Sequence, residues 1–176
     1  MRNQDGIFLR TDFPVFLYFK LCDKLRIMKP LIVLITTFVI SFLILKFGLH
    51  KDELALAGRI AMCAMLLFTA IAHFAFTAGM EMMVPAFIPF KKAMVYFTGL
   101  IEISAGICIL VPTVSVLAAK LLILFFILLL PANINAALHR IDYQKANNEG
   151  SGINYLLFRI PLRLFFIAWV YFSCIH

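Results

Sequence analysis

Residues 31–49, 54–78, 93–111 and 115–138 form long apolar blocks, each sufficient to cross the ~30 Å hydrocarbon core of a bilayer as a helix. A fifth block, 160–175, is shorter and lengthens upstream through Tyr155. No other feature restricts the fold as strongly, because in lipid an open sheet leaves its edge N–H and C=O groups unsatisfied while a helix closes them internally. The blocks raise the apolar share to 64%, against the 45 to 50% usual for soluble domains. They predict an all-α polytopic membrane bundle.

The first block follows Lys29 as a signal peptide would, but "LKFGLHKDELA" offers no small-x-small cleavage site, so it reads as an uncleaved anchor. The "KDEL" beginning at Lys51 is internal and is not an endoplasmic-reticulum address. Residues 1–27 lack a spanning pattern and read either as an amphipathic surface segment or as residues upstream of a natural start at "MKPLIVLI". Three parts result: 1–27, an extra transmembrane helix over 28–50, and a four-helix membrane domain over 51–176. A four-span alternative, with the first block on the surface or acting as a signal, stays open.

A formal charge of +7 can signal nucleic-acid binding, but Lys and Arg are dispersed between the apolar blocks instead of clustered on one face, which excludes that partner. Their placement reads as topology. With five spans and the N-terminus inside, that side collects Lys29, Lys91, Lys92, Arg140, Lys145, Arg159 and Arg163 in addition to the basic residues before Met28. Lys46, Lys51, Arg59 and Lys120 fall outside, so the positive-inside rule favours a cytoplasmic N-terminus.

Among the connections, 139–152 is rich in Asn, Gly and Ser and is expected to be a flexible loop. The segment "GMEMMVPAFIPFKK" keeps its apolar residues while Pro85 and Pro89 interrupt helix, so it is expected at the membrane interface or folded over the bundle mouth. Pro112 and Thr113 mark a tight turn that makes spans three and four antiparallel neighbours.

Within the spans, Gly99, Glu102 and Gly106 share one helical face, and small residues there let a second helix approach, carrying Glu102 into the bundle. Arg59, Cys63, Ala70, His73 and Thr77 form a similar stripe on the second span. Pro131 breaks the fourth, after which Asn133 and Ala137 share a face. At 1.5 Å per residue His73 lies roughly 8 to 10 Å in from its span end, Glu102 roughly 10 to 14 Å from the same side, and Asn133 is shallower. Arg159 and Arg163 enter from that side, so the five groups are expected to converge as an intramembrane pocket.

A carboxylate at that depth costs several kcal/mol unless it is neutralised, paired or wetted. His73 is its expected partner, and the two are the candidate catalytic residues, able to relay a proton or hold a polar head group. The same network can instead only fix helix packing. One His, one Glu and an Asn lack ligand spacing, so no metal is expected, although His73 and His139 could in principle hold haem. Cys22, Cys63, Cys108 and Cys174 make no CxxC pair and read as small apolar residues, with a thiol relay as the lesser reading. Trp169 and Tyr171 read as interface anchors.

The ordered motifs "AIAHF", "MMVPAFIPF", "VYFTGLIEISAGICILVP", "AAKLLILFFILLLPANINAAL" and "RIPLRLFFIAWVY" resemble the DoxX-like family of small bacterial membrane proteins (the DoxX/DoxD/MauE-type group) over about 54–171. The matching positions are His73, Pro85, Tyr96, Gly99, Glu102, Pro131, Asn133, Arg159 and Pro161. The resemblance implies a four-helix core in a bacterial inner membrane, with 31–49 as an addition. Some members of that group resemble a small subunit of a thiosulfate:quinone oxidoreductase, and others are linked to oxidative stress or to dehydrogenase maturation. A redox-associated subunit with a quinone or thiol link, working beside a redox partner protein, is therefore the leading expectation. Tyr96, Asn133, Arg159 and Arg163 are the candidate cofactor-binding residues. A small-solute or proton-coupled carrier and a non-enzymatic assembly protein are the alternatives.

Overall fold

The structure is a computed structural model that describes residues 12–48, 53–150 and 152–176. Residues 1–11 and the side chains of 12–27, Cys22 included, lie outside the described residues, as does Lys51. The described chain is all helical, apart from one isolated bridge between Asp142 and Asn147. Helix α1 (Asp12–Leu43) runs without a break through Pro30 and ends in a wide π-helical turn, Ile44–Gly48. It is followed by α2 (Leu54–Ala75), α3 (Thr77–Met83), α4 (Lys91–Leu110), α5 (Ser115–Leu128), α6 (Leu130–Leu138) and α7 (Ile153–Cys174).

Five segments are long and apolar enough to cross a membrane: Met28–Gly48, Leu54–Ala75, Lys91–Leu110, Ser115–Leu138 and Leu156–Cys174. The protein is a polytopic integral membrane protein. Both faces of its helices are apolar, so inside and outside differ by side-chain size rather than polarity. Ala57, Ala61, Gly99, Gly106, Ala118 and Ala119 are buried, whereas Leu117, Leu121, Leu124 and Leu128 recur at three-and-four spacing along the outer face of α5.

Helix α2 packs on α4 and α7, α4 on α5, and α5 on α7, which closes a four-helix ring. Helix α1 lies outside this ring, principally against α2, and reaches the core through the fully buried Leu34. Met62, Met65 and Leu66 of α2, Ile109 of α4, Leu122 and Phe126 of α5, and Phe166 and Val170 of α7 fill the centre.

Two breaks interrupt the ring elements, and proline explains one of them. Pro131 has no N–H to offer the carbonyl of Ile127, and the fourth span divides at Leu129 into α5 and α6. At the second break, Phe76 leaves helical geometry (φ −121°, ψ 35°), so the second block ends as α2 and a short α3. Val84 is extended, as a residue before proline prefers to be, and stops α3. Met83 then packs with Ala136 and Ile141 over the end of the bundle, while Phe87 and Phe90 point outward.

The 139–152 connection is folded, contrary to its polar composition. Asp142 exchanges backbone hydrogen bonds with Asn147 (2.8 and 3.4 Å), and its Oδ1 accepts from the N–H groups of Gln144 (2.9 Å) and Lys145 (3.3 Å). Such Asx geometry is why Asp and Asn close turns as readily as they populate mobile segments. The loop then seats the Tyr143 carbonyl directly on Gly79 of α3.

Candidate functional site

Glu102 reaches the interior because α4 turns its small-residue face onto α2. Val95, Gly99, Glu102, Gly106 and Ile109 are the buried positions of this helix. At Gly99 an added Cβ would stand 2.9 Å from the Cβ of His73, and at Gly106 it would touch Leu66 and Cys63. The two glycines let α2 come close on either side of the carboxyl, and His73 meets it, with Nε2 3.5 Å from Glu102 Oε2. The glutamate is 3% exposed and the histidine side chain 13%.

The other ring nitrogen decides what this contact can do. His73 Nδ1 lies 3.1 Å from the Val95 carbonyl and 3.1 Å from Thr98 Oγ1. Thr98 donates its own proton to Val95 (2.9 Å), and a carbonyl can only accept. The shared hydrogen therefore sits on Nδ1, and Nε2 is the nitrogen that faces the carboxyl. The 3.5 Å separation exceeds the 2.7 to 3.2 Å of a good N–H···O bond. Oε2 has no hydrogen-bond partner among the described residues.

The remaining candidates occupy other surroundings. Asn133 is buried, and its side-chain N–H donates to the Leu129 carbonyl at the α5–α6 break (3.1 Å). The guanidinium of Arg159 lies over the Tyr143 ring (5.4 Å) and that of Arg163 over Phe126 (5.0 Å). Tyr96 stacks on Phe74 (centroids 5.7 Å apart) and lines an open cleft at the start of α4. His139 is exposed and bonds its own helix at Asn135 (3.0 Å). Arg59, near the other end of α2, gives its Nε–H to the Ser173 carbonyl (2.9 Å). Of the five groups expected to converge, His73 and Glu102 meet directly, with Thr98 and Val95 behind the histidine.

Among the described residues no three His, Cys, Asp or Glu side chains gather as metal ligands. Cys63 and Cys174 are buried free thiols and Cys108 is an exposed one.

Residues 62–174, from α2 to the end of α7, match one protein-family model, described as a domain of unknown function (DUF8561). The matched stretch contains His73, Thr98 and Glu102 and leaves α1 outside it. No match to the DoxX-like family accompanies the motif resemblance. No curated protein and no solved structure matches the chain.

Proposed function

We propose a function for this chain, which belongs to the DUF8561 family, a domain of unknown function, from its buried histidine–glutamate pair: it is a small membrane subunit that exchanges a proton within the bilayer on behalf of a redox partner. The observation that carries this reading is the unpartnered Oε2 of Glu102 beside a histidine whose other nitrogen is committed to Val95 and Thr98. A buried acceptor left without a donor costs about 1 to 3 kcal/mol, and a helix interface built only for packing has no use for it. Because the ring hydrogen is pinned at Nδ1, proton traffic is confined to Nε2 and Oε2.

The redox association rests on the order of DoxX-like motifs that surround these residues. Glu102 at 3% exposure and His73 at 13% offer no face on which a quinone ring can lie. The reading therefore gives the pair the proton and leaves electron carriers and quinone to the partner. The test is quinone-dependent turnover of the native membrane complex carrying His73→Gln or Glu102→Gln. Loss of a positioned acid–base group lowers such a rate by about 100-fold or more, with folding unchanged. Wild-type turnover in both variants would remove the assignment.

A second reading, a non-enzymatic assembly protein, is favoured by the tightness of the contact, since His73 and Glu102 sit where Gly99 brings α2 and α4 closest. Replacing both residues with leucine separates the two. Under the assembly reading partner association and phenotype survive; under the proton reading association survives and turnover does not.

A further inference from the structure

A second cluster of charge lies away from the pair, in a cleft of about 540 Å³ at the start of α4, lined by Glu81, Phe90, Lys91, Lys92, Ala93 and Tyr96. We propose that this cleft binds the phosphodiester of an anionic membrane lipid, with Lys91 and Lys92 as its cationic contacts.

Helix stability does not explain these lysines. They occupy the first turn of a 20-residue helix, where the macrodipole is positive and acidic side chains are the stabilising choice, and the turn has none. Neither lysine pairs with Glu81 or with any other carboxylate among the described residues. Phe90, the residue before them, supplies no side-chain cap and is held in the left-handed region (φ 52°, ψ 46°), so the first backbone N–H groups of α4 are uncapped as well. Two ammonium groups and uncapped donors at one helix start leave unbalanced positive potential facing the cleft. Membrane topology asks only that cations lie at this end of the span; it does not ask that both line one concavity.

Position selects a lipid over a dissolved anion. The cleft opens at the end of a span, the level of the phosphate groups of a bilayer. Beside it Phe87 and Phe90 are 81% and 84% exposed, as side chains immersed among lipid chains and headgroups can be. Further along α4, Tyr96 on Phe74 makes an apolar wall continuing into the span, suited to an acyl chain. Glu81 opposes a second negative charge but accepts hydrogen bonds, which fits a monoanionic phosphodiester whose headgroup carries hydroxyls.

The experiment is native mass spectrometry of the full chain, purified in mild detergent and offered phosphatidylglycerol or phosphatidylcholine. Phosphatidylglycerol should be retained selectively, and the Lys91→Gln, Lys92→Gln double variant should retain it about 10- to 30-fold less, from roughly one lysine-sized contribution per residue. Arginine at both positions should preserve retention, and Lys120→Gln, at an exposed lysine in the second turn of α5, should leave it unchanged. Equal retention by wild type and the double glutamine variant overturns the proposal. So does an equal loss in Lys120→Gln, which would indicate general charge, and so does displacement by millimolar inorganic phosphate, which would indicate a soluble anion.

Discussion

His73 and Glu102 meet across the α2–α4 contact, Nε2 to Oε2 at 3.5 Å, one helical turn from the glycine that lets the two backbones approach. Gly99 therefore controls the pair without carrying any chemistry. A methyl group there would stand 2.9 Å from the Cβ of His73, an atom tied to the α2 backbone, so the helices must separate. Gly99→Ala is expected to cost about 1 to 3 kcal/mol, the range for overpacking a close-packed interior. It should also reduce turnover as His73 withdraws. Midpoints of denaturant-induced unfolding in detergent, compared with those of Gly106→Ala, check this. At Gly106 the nearest atoms stand 3.5 Å or further from an added Cβ, so that substitution should cost less.

Thr98 is expected to act by positioning. Thr98→Val keeps its shape and removes the oxygen at Nδ1, leaving Val95 as the sole acceptor for the ring hydrogen. A single hydrogen bond contributes about 0.5 to 1.5 kcal/mol, so turnover should fall about 2- to 10-fold. Thr98→Ser should restore it. Nitrogen NMR of labelled histidine gives an independent readout: in Thr98→Val the His73 ring signals should show a greater share of the Nε2–H tautomer. Unaltered ring signals in that variant would remove Thr98 from the site.

These two residues show what the sequence could and could not convey. Apolar runs and proline positions located the spans and the division near Pro131, because lipid enforces helix and proline removes a specific donor. The small-residue face of α4 was legible from spacing alone, and the buried positions fall on it. Thr98 stands four residues before Glu102, so the same spacing reaches it. It gave no signal because a threonine in a span ordinarily satisfies itself on its own helix, as Thr98 also does at Val95. The individual contacts of Asn133, Arg159 and Arg163 were not legible for a different reason: depth follows from counting residues, whereas the direction a helix faces depends on its neighbours. Loop 139–152 was obscured by composition, since turn formers and mobile segments draw on the same residues.

That loop supplies a third test. The Tyr143 carbonyl rests on Gly79 so closely that any Cβ there would overlap it, and the clash is with backbone, which cannot rotate away. Gly79→Ala should displace the 139–152 loop from α3 and release the Tyr143 ring from its edge contact with Phe76 (6.1 Å). The expected destabilisation is again about 1 to 3 kcal/mol. Limited proteolysis should show the change as faster cleavage within 139–152, because native Asp142 and Asn147 hold the loop closed. An unchanged cleavage rate would mean that the α3 contact does not secure the loop.

Trp169, the one tryptophan in the chain, reports on how α1 is attached to the ring. Its Nε1–H donates to the Gly58 carbonyl on α2 (3.1 Å), and its ring meets Phe38 of α1 edge-on (5.0 Å, 84°). Trp169→Phe removes the hydrogen bond and retains an aromatic surface, so a loss of about 1 kcal/mol is expected. Trp169→Ala removes the surface too, with an expected loss of about 3 to 5 kcal/mol for a large aromatic, reduced where the ring is only part-buried. Hydrogen exchange separates the two effects. If Phe38 is held by the ring, amides near Phe38 should exchange faster in Trp169→Ala than in Trp169→Phe, while those around Leu66, in the interior of the ring, change less in both. Equal protection of α1 in the two variants would place its attachment on the α1–α2 contact alone, through Leu34, and not on α7.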